Sequence, residues 1–93
     1  MTRVLLKSPA FIRSAKHLVK KSPGLAKDIQ ATLERLAEDA FQPALRTHKL
    51  KGELKDSWAC RVDYELRIVF ELVPYKDTEA VLLEDIGTQD KVY

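Results

Sequence analysis

The 93-residue chain is short of cysteine, histidine and glycine: it has Cys60, the histidines His17 and His48, and three glycines. One cysteine cannot close an internal disulfide, so the expected home is a reducing cytoplasm, with Cys60 a small apolar residue in the core. Two histidines and one cysteine show no metal-ligand spacing, and neither a metal nor another cofactor is expected. No glycine-rich phosphate loop, nucleophile elbow or pair of catalytic carboxylates is present. No run approaches the ~18 apolar residues of a membrane span, and the opening MTRVLLKSPAF has too short an apolar part for a signal peptide. Repeats, linkers and low-complexity segments are missing as well. A composition 45% hydrophobic and 32% charged describes one soluble globular domain spanning 1–93.

Acid is missing where base is dense. Residues 1–27 carry Arg3, Lys7, Arg13, Lys16, Lys20, Lys21 and Lys27 and no carboxylate, so the net charge of +2 conceals a strong asymmetry. Acidic residues gather in 28–44 and again in 68–93. Such blocks predict a basic face toward a polyanion and acidic surface elsewhere. His17, among lysines mid-helix, reads as surface.

The periodicities give the elements. RVLLK at 3–7 reads as a strand. Ser8 and Pro9 open a helix as N-cap and first helical residue, with Phe11, Ile12, Ala15, Leu18 and Val19 on one face. Ser22 and Pro23 repeat the signal for a second helix, with Leu25, Ala26, Ile29, Leu33, Leu36, Ala37 and Ala40 as its stripe. After the connector FQPAL, RTHKLKG predicts a short strand running into a turn at Gly52. Trp58, Cys60 and Val62 then alternate against Ala59, Arg61 and Asp63, and Leu66, Ile68 and Phe70 against Arg67 and Val69, with a turn at 63–65. PYKDTE at 74–79 reads as a turn, AVLLEDIG at 80–87 as a buried strand, and TQDKVY as a last helical turn. The fold class is α+β, order β-α-α-β-β-β-β, with a two-helix N-terminal hairpin packed on an antiparallel sheet.

Chemistry concentrates in two places. Arg61 and Arg67 fall on the sheet face turned away from the helices, near each other across a hairpin. Like charges there repel unless countered, so either Asp63, Glu65 or Glu71 pairs with them or a ligand phosphate does. The planar fork of arginine suits phosphate oxygens. His48 is the candidate general base, its ordinary pKa being near neutrality, or else a structural hydrogen-bonder. Strand alternation projects Lys49 and Lys51 together and His48 to the opposite side.

These residues carry a resemblance. The two-helix start, HKLKG, WACRVDYELRIVF and the ending LLEDIGTQDKVY, in that order over nearly the whole length, resemble the RelE/ParE superfamily of toxins from type II toxin–antitoxin modules, particularly its RelE/StbE-like mRNA interferases. The resemblance implies a RelE-like fold, a ribosome-dependent endoribonuclease activity on mRNA, and inhibition by a cognate antitoxin. It places Arg61 and Arg67 where family members hold RNA phosphate and His48, Lys49 and Lys51 in the basic or catalytic segment. Tyr93 falls at a C-terminal tyrosine able to transfer protons. Glu53, close behind His48, is the other candidate acceptor of the 2′ proton. Many relatives end in GTHDEVY; here Gln89 holds the histidine position, and glutamine donates a hydrogen bond but is no general acid near neutral pH. The alternatives that follow are a toxin-fold protein without nuclease activity and a ParE-like gyrase inhibitor.

Overall fold

In the computed structural model, which describes residues 2–50 and 56–88, the first strand, β1 (Val4–Lys7), leads straight into α1 (Pro9–Lys21). Ser8 makes that junction rigid. Its hydroxyl oxygen accepts from the Phe11 amide at 3.1 Å, and its O–H donates to the Glu84 carbonyl at 2.9 Å. A cap of this kind contributes about 1 kcal/mol, and here the same hydroxyl also ties the helix to the sheet.

The second helix starts differently from the expectation. α2 runs Leu25–Glu38 with Gly24 at its N-cap and no side-chain cap, and Ser22 is instead the C-cap of α1. The backbone does the work: Leu25 N–H donates to the Ser22 carbonyl and Ala26 N–H to the Pro23 carbonyl, winding the first turn without the serine hydroxyl. Ile12 is 40% exposed and Ala26 is exposed, so each stripe is narrower than its periodicity predicts. Thr32, buried within the α2 stripe, donates its hydroxyl to the Asp28 carbonyl, so the hydroxyl enters the core satisfied.

A 3₁₀ turn at Pro43–Leu45, with Arg46 in the left-handed region at φ 48°, leads into β2 (His48–Lys49). Then come β3 (Trp58–Arg61), β4 (Leu66–Tyr75) and β5 (Thr78–Thr88). The β4–β5 connection is tighter than expected, only Lys76 and Asp77, with Lys76 at φ 54°. The expected turn at Gly52 and the expected helical end of the tail lie outside the described residues, apart from Thr88, which is strand.

The sheet order is β1-β5-β4-β3-β2. All neighbours are antiparallel except β1 and β5, which run parallel. The expectation of a wholly antiparallel sheet fails at β1 because that strand has no hairpin partner. Its chain leaves through the helices, and a strand reached by such an excursion can lie parallel.

Cys60, Leu66, Ile68, Phe70, Val81, Leu83 and Ile86 pack on Phe11, Ile29, Leu33 and Leu36, forming the main core between sheet and helices. Full burial of such side chains is worth about 1.5–3 kcal/mol each. On the opposite face, among the described residues, Leu50, Ala59 and Val69 form a second, small apolar cluster. A register shift leaves Glu84 as an extra residue of β5, because Val69 pairs with Asp85 but Phe70 with Leu83. That bulge re-aims two acids: Glu84 accepts from the Ser57 hydroxyl at 2.6 Å and Asp85 from the Ser14 hydroxyl at 2.7 Å. Among the described residues no helix is long and apolar enough to cross a membrane.

Candidate functional site

The turn joining β3 to β4 is wound around Asp63. Its carboxylate accepts from the amides of Glu65 and Leu66, at 2.9 and 2.8 Å, so the side chain that might have neutralised an arginine is committed to the backbone. Val62 N–H donates to the Leu66 carbonyl and closes the turn.

Arg61 and Arg67 are direct register partners across β3 and β4. Both turn toward one oxygen. Arg61 Nε donates to the Asp63 carbonyl at 3.2 Å and Arg67 Nη1 to the same carbonyl at 2.7 Å. Arg67 Nη1 also reaches the carbonyls of Tyr64 and Leu66, at 3.1 and 3.2 Å. Neutral carbonyl dipoles therefore gather two like charges that would otherwise repel. Among the described residues neither arginine pairs with a carboxylate, and the ion pair present is Arg3–Glu79. Both arginines are partly exposed, and the donors they do not use on these carbonyls can serve a phosphate.

The histidine joins them. His48 pairs with Ala59, so it lies on the sheet face that Ala59 shares with Arg61, one row from the arginine pair. Its Nδ1 sits 3.2 Å from the Arg46 carbonyl. Nδ1–H donating there would leave Nε2 as the ring acceptor. Lys49 goes the other way: it pairs with Trp58, and its ammonium lies 5.6 Å from the Trp58 ring centroid. Lys49 and His48 thus lie on opposite faces of the sheet, as strand alternation predicts. Lys51, Glu53, Gln89 and Tyr93 lie outside the described residues.

Cys60, one residue from Arg61, is the buried apolar residue the sequence predicts. Burial pushes its thiol up from 9.0 to about 12, against smaller opposing effects of a hydrogen bond with the Ile68 backbone and the Arg67 charge. It is inert as a nucleophile at neutral pH. No group of three or more metal-ligating side chains occurs among the described residues.

Two features escaped the sequence reading. Tyr64, at the tip of the β3–β4 turn, is 80% exposed, with the Arg61 guanidinium carbon 5.8 Å from its ring centroid. Its signal was present, since an aromatic is out of type in a turn that favours Gly, Asn, Asp and Ser. On the helical side, an apolar groove of about 460 Å³ opens along α1 and α2. It is lined by Phe11, Ile29 and Leu33, with Lys7, Lys16 and Lys20 around it.

No protein-family model and no curated protein matches the chain. Solved structures do. A YoeB/ParE toxin from Agrobacterium tumefaciens superposes with TM-score 0.78 at 13% identity, covering 92% of this chain and 98% of that one. YafQ from E. coli superposes with TM-score 0.78 at 18% identity and 98% coverage of both chains. A chain of the E. coli DinJ–YafQ toxin–antitoxin complex gives 0.77 at 17% identity, covering 100% and 99%. At these identities the likeness is one of fold: two helices on a five-stranded, mostly antiparallel sheet, in the RelE-like arrangement of the YoeB/ParE and YafQ toxins.

Proposed function

We propose that the protein is the toxin of a toxin–antitoxin module and acts as a ribosome-dependent mRNA endoribonuclease. The observation that carries this reading is the arginine pair: two planar cationic forks, opposite each other, held among the described residues by carbonyls rather than by carboxylates, with His48 on the same face. RNA supplies its own nucleophile, so the reaction needs positioning, charge stabilisation and two proton movements, with no metal. The 2′-hydroxyl attacks the adjacent phosphorus and the bond to the 5′ oxygen breaks, leaving a 2′,3′-cyclic phosphate and a 5′-hydroxyl. Arg61 and Arg67 stabilise the charge that builds on the phosphorane oxygens, with Lys51 assisting. His48 or Glu53 takes the 2′ proton. Tyr93 or a ribosomal group supplies the proton to the leaving oxygen, because Gln89 has none to give.

The cognate antitoxin is the second partner. Its inhibitory segment is an amphipathic helix with an acidic flank, which matches an apolar floor bordered by Lys7, Lys16 and Lys20 in a region of sequence without carboxylates. One of the similar structures is a chain from a toxin–antitoxin complex, which supports the expectation of such a partner. A protein that acts on ribosome-bound mRNA would do so in the cytoplasm.

Primer extension on mRNA in a translating extract tests the reading. New 5′ ends inside translated codons support it. Broken DNA with intact mRNA would favour gyrase poisoning, and no change in either nucleic acid would favour a toxin fold without nuclease activity.

A further inference from the structure

The exposed ring at the turn tip is unexplained by folding. At 80% exposure Tyr64 buries little apolar surface, yet its position is tightly fixed. The Asp63 carboxylate holds the amides of Glu65 and Leu66, and Arg67 Nη1 holds the Tyr64 carbonyl. The Arg61 guanidinium lies against the ring, 5.8 Å from its centroid. An arginine and an aromatic so arranged, with most of the ring in solvent, form the element that single-stranded nucleic-acid surfaces use: a cation for the backbone and a π-face for the base. A tyrosine has two side-chain torsions to immobilise, so ordering it on contact costs little. The Trp58 ring is less suited, because it packs T-shaped with Phe41 and meets the Lys49 ammonium on the helix side of the sheet.

We propose that Tyr64 is a stacking platform for an unpaired RNA base next to the phosphate held by Arg61 and Arg67, an assignment that rests on the phosphate-binding reading of the arginines. Stacking on a π-face discriminates weakly between bases, so Tyr64 contributes affinity and position rather than sequence choice.

The test is fluorescence anisotropy of a short dye-labelled single-stranded RNA with the intact chain at low salt. An abasic ribose-phosphate strand of equal length serves as the second probe. Tyr64→Ala is expected to weaken RNA binding roughly tenfold to a hundredfold, to leave abasic-strand binding unchanged, and to be rescued by Tyr64→Phe. Arg61→Ala is expected to weaken both probes. Circular dichroism establishes that each variant is folded. If Tyr64→Ala binds RNA like the unaltered chain while Arg61→Ala does not, stacking is overturned and the phosphate grip stands. If the unaltered chain binds neither probe, or Arg61→Ala changes nothing, the phosphate reading falls and the stacking proposal with it.

Discussion

Arg61 and Arg67 face each other across neighbouring strands and converge on the same backbone oxygen, that of Asp63. Ordinary surface arginines settle on carboxylates; these two are positioned by a turn. Among the described residues no carboxylate pairs with them, so the turn directs their charge without neutralising it there, the condition a phosphate-binding pair must meet.

Replacing either arginine by alanine should lower mRNA cleavage in a translating extract by about 10²–10³, as expected for loss of one preorganised charge stabiliser. Arg61→Lys should recover only part of this, since an ammonium lacks the planar fork. A variant chain that remains folded yet cleaves at the unaltered rate would remove that arginine from the mechanism.

The Asp63 carboxylate should prove structural. Asp63→Ala strips two amides of their acceptor and releases the carbonyls that gather the arginines, costing about 1–3 kcal/mol in urea denaturation. Asp63→Asn keeps an acceptor oxygen and should cost less. Nuclease activity should fall with Asp63→Ala even where the chain is fully folded, because the turn no longer fixes the residue-63 carbonyl on which both guanidinium groups converge.

Ser8→Ala should cost about 1–2 kcal/mol, more than an isolated N-cap, because one hydroxyl both caps α1 and tethers it to the Glu84 carbonyl. The shift is read from the denaturation midpoint at unchanged slope. A loss no larger than a few tenths would mean that the tether contributes nothing.

The Cys60 thiol titrates upward on folding, to about 12. The folded state therefore holds this proton more tightly than the unfolded state does. The associated stability is fully present below about pH 9 and is lost as pH rises toward 12. Thiol alkylation at pH 8 should proceed only at the rate of opening, so the native chain labels far more slowly than the urea-unfolded one. Equal rates would contradict the burial of Cys60.

Much of this was legible in the residues. Strict alternation in 58–62 and 66–70 fixed which side chains share a face, so the outward position of Arg61 and Arg67 followed from period two alone. Pro9 behind Ser8 located the start of α1. His48 and Lys49 were not legible in the same way, because a two-residue strand has no pattern from which to read register; only pairing with Ala59 and Trp58 assigns their faces. The bulge at Glu84 was equally hidden. LLEDIG reads as one continuous strand, while the extra residue is set by the meeting of β4 with β5. Ser22 looked like a second N-cap since the serine–proline pair repeats, but the backbone bonds from 22 and 23 had already begun α2.

The apolar groove along α1 and α2 makes a charge prediction. Lys16→Glu with Lys20→Glu places acid beside the expected acidic helix and should weaken antitoxin binding at least tenfold at low salt, less at high salt, by titration calorimetry. Cleavage by the altered protein should then escape inhibition. Unchanged affinity would mean that the inhibitor docks elsewhere.

The most direct measurement is primer extension on mRNA in a translating extract, comparing the unaltered chain with the Arg61→Ala, Arg67→Ala double variant. The account predicts new 5′-hydroxyl ends within translated codons for the unaltered chain and none above background for the folded double variant. Identical end patterns from both proteins, or intact mRNA with the unaltered chain, would contradict it.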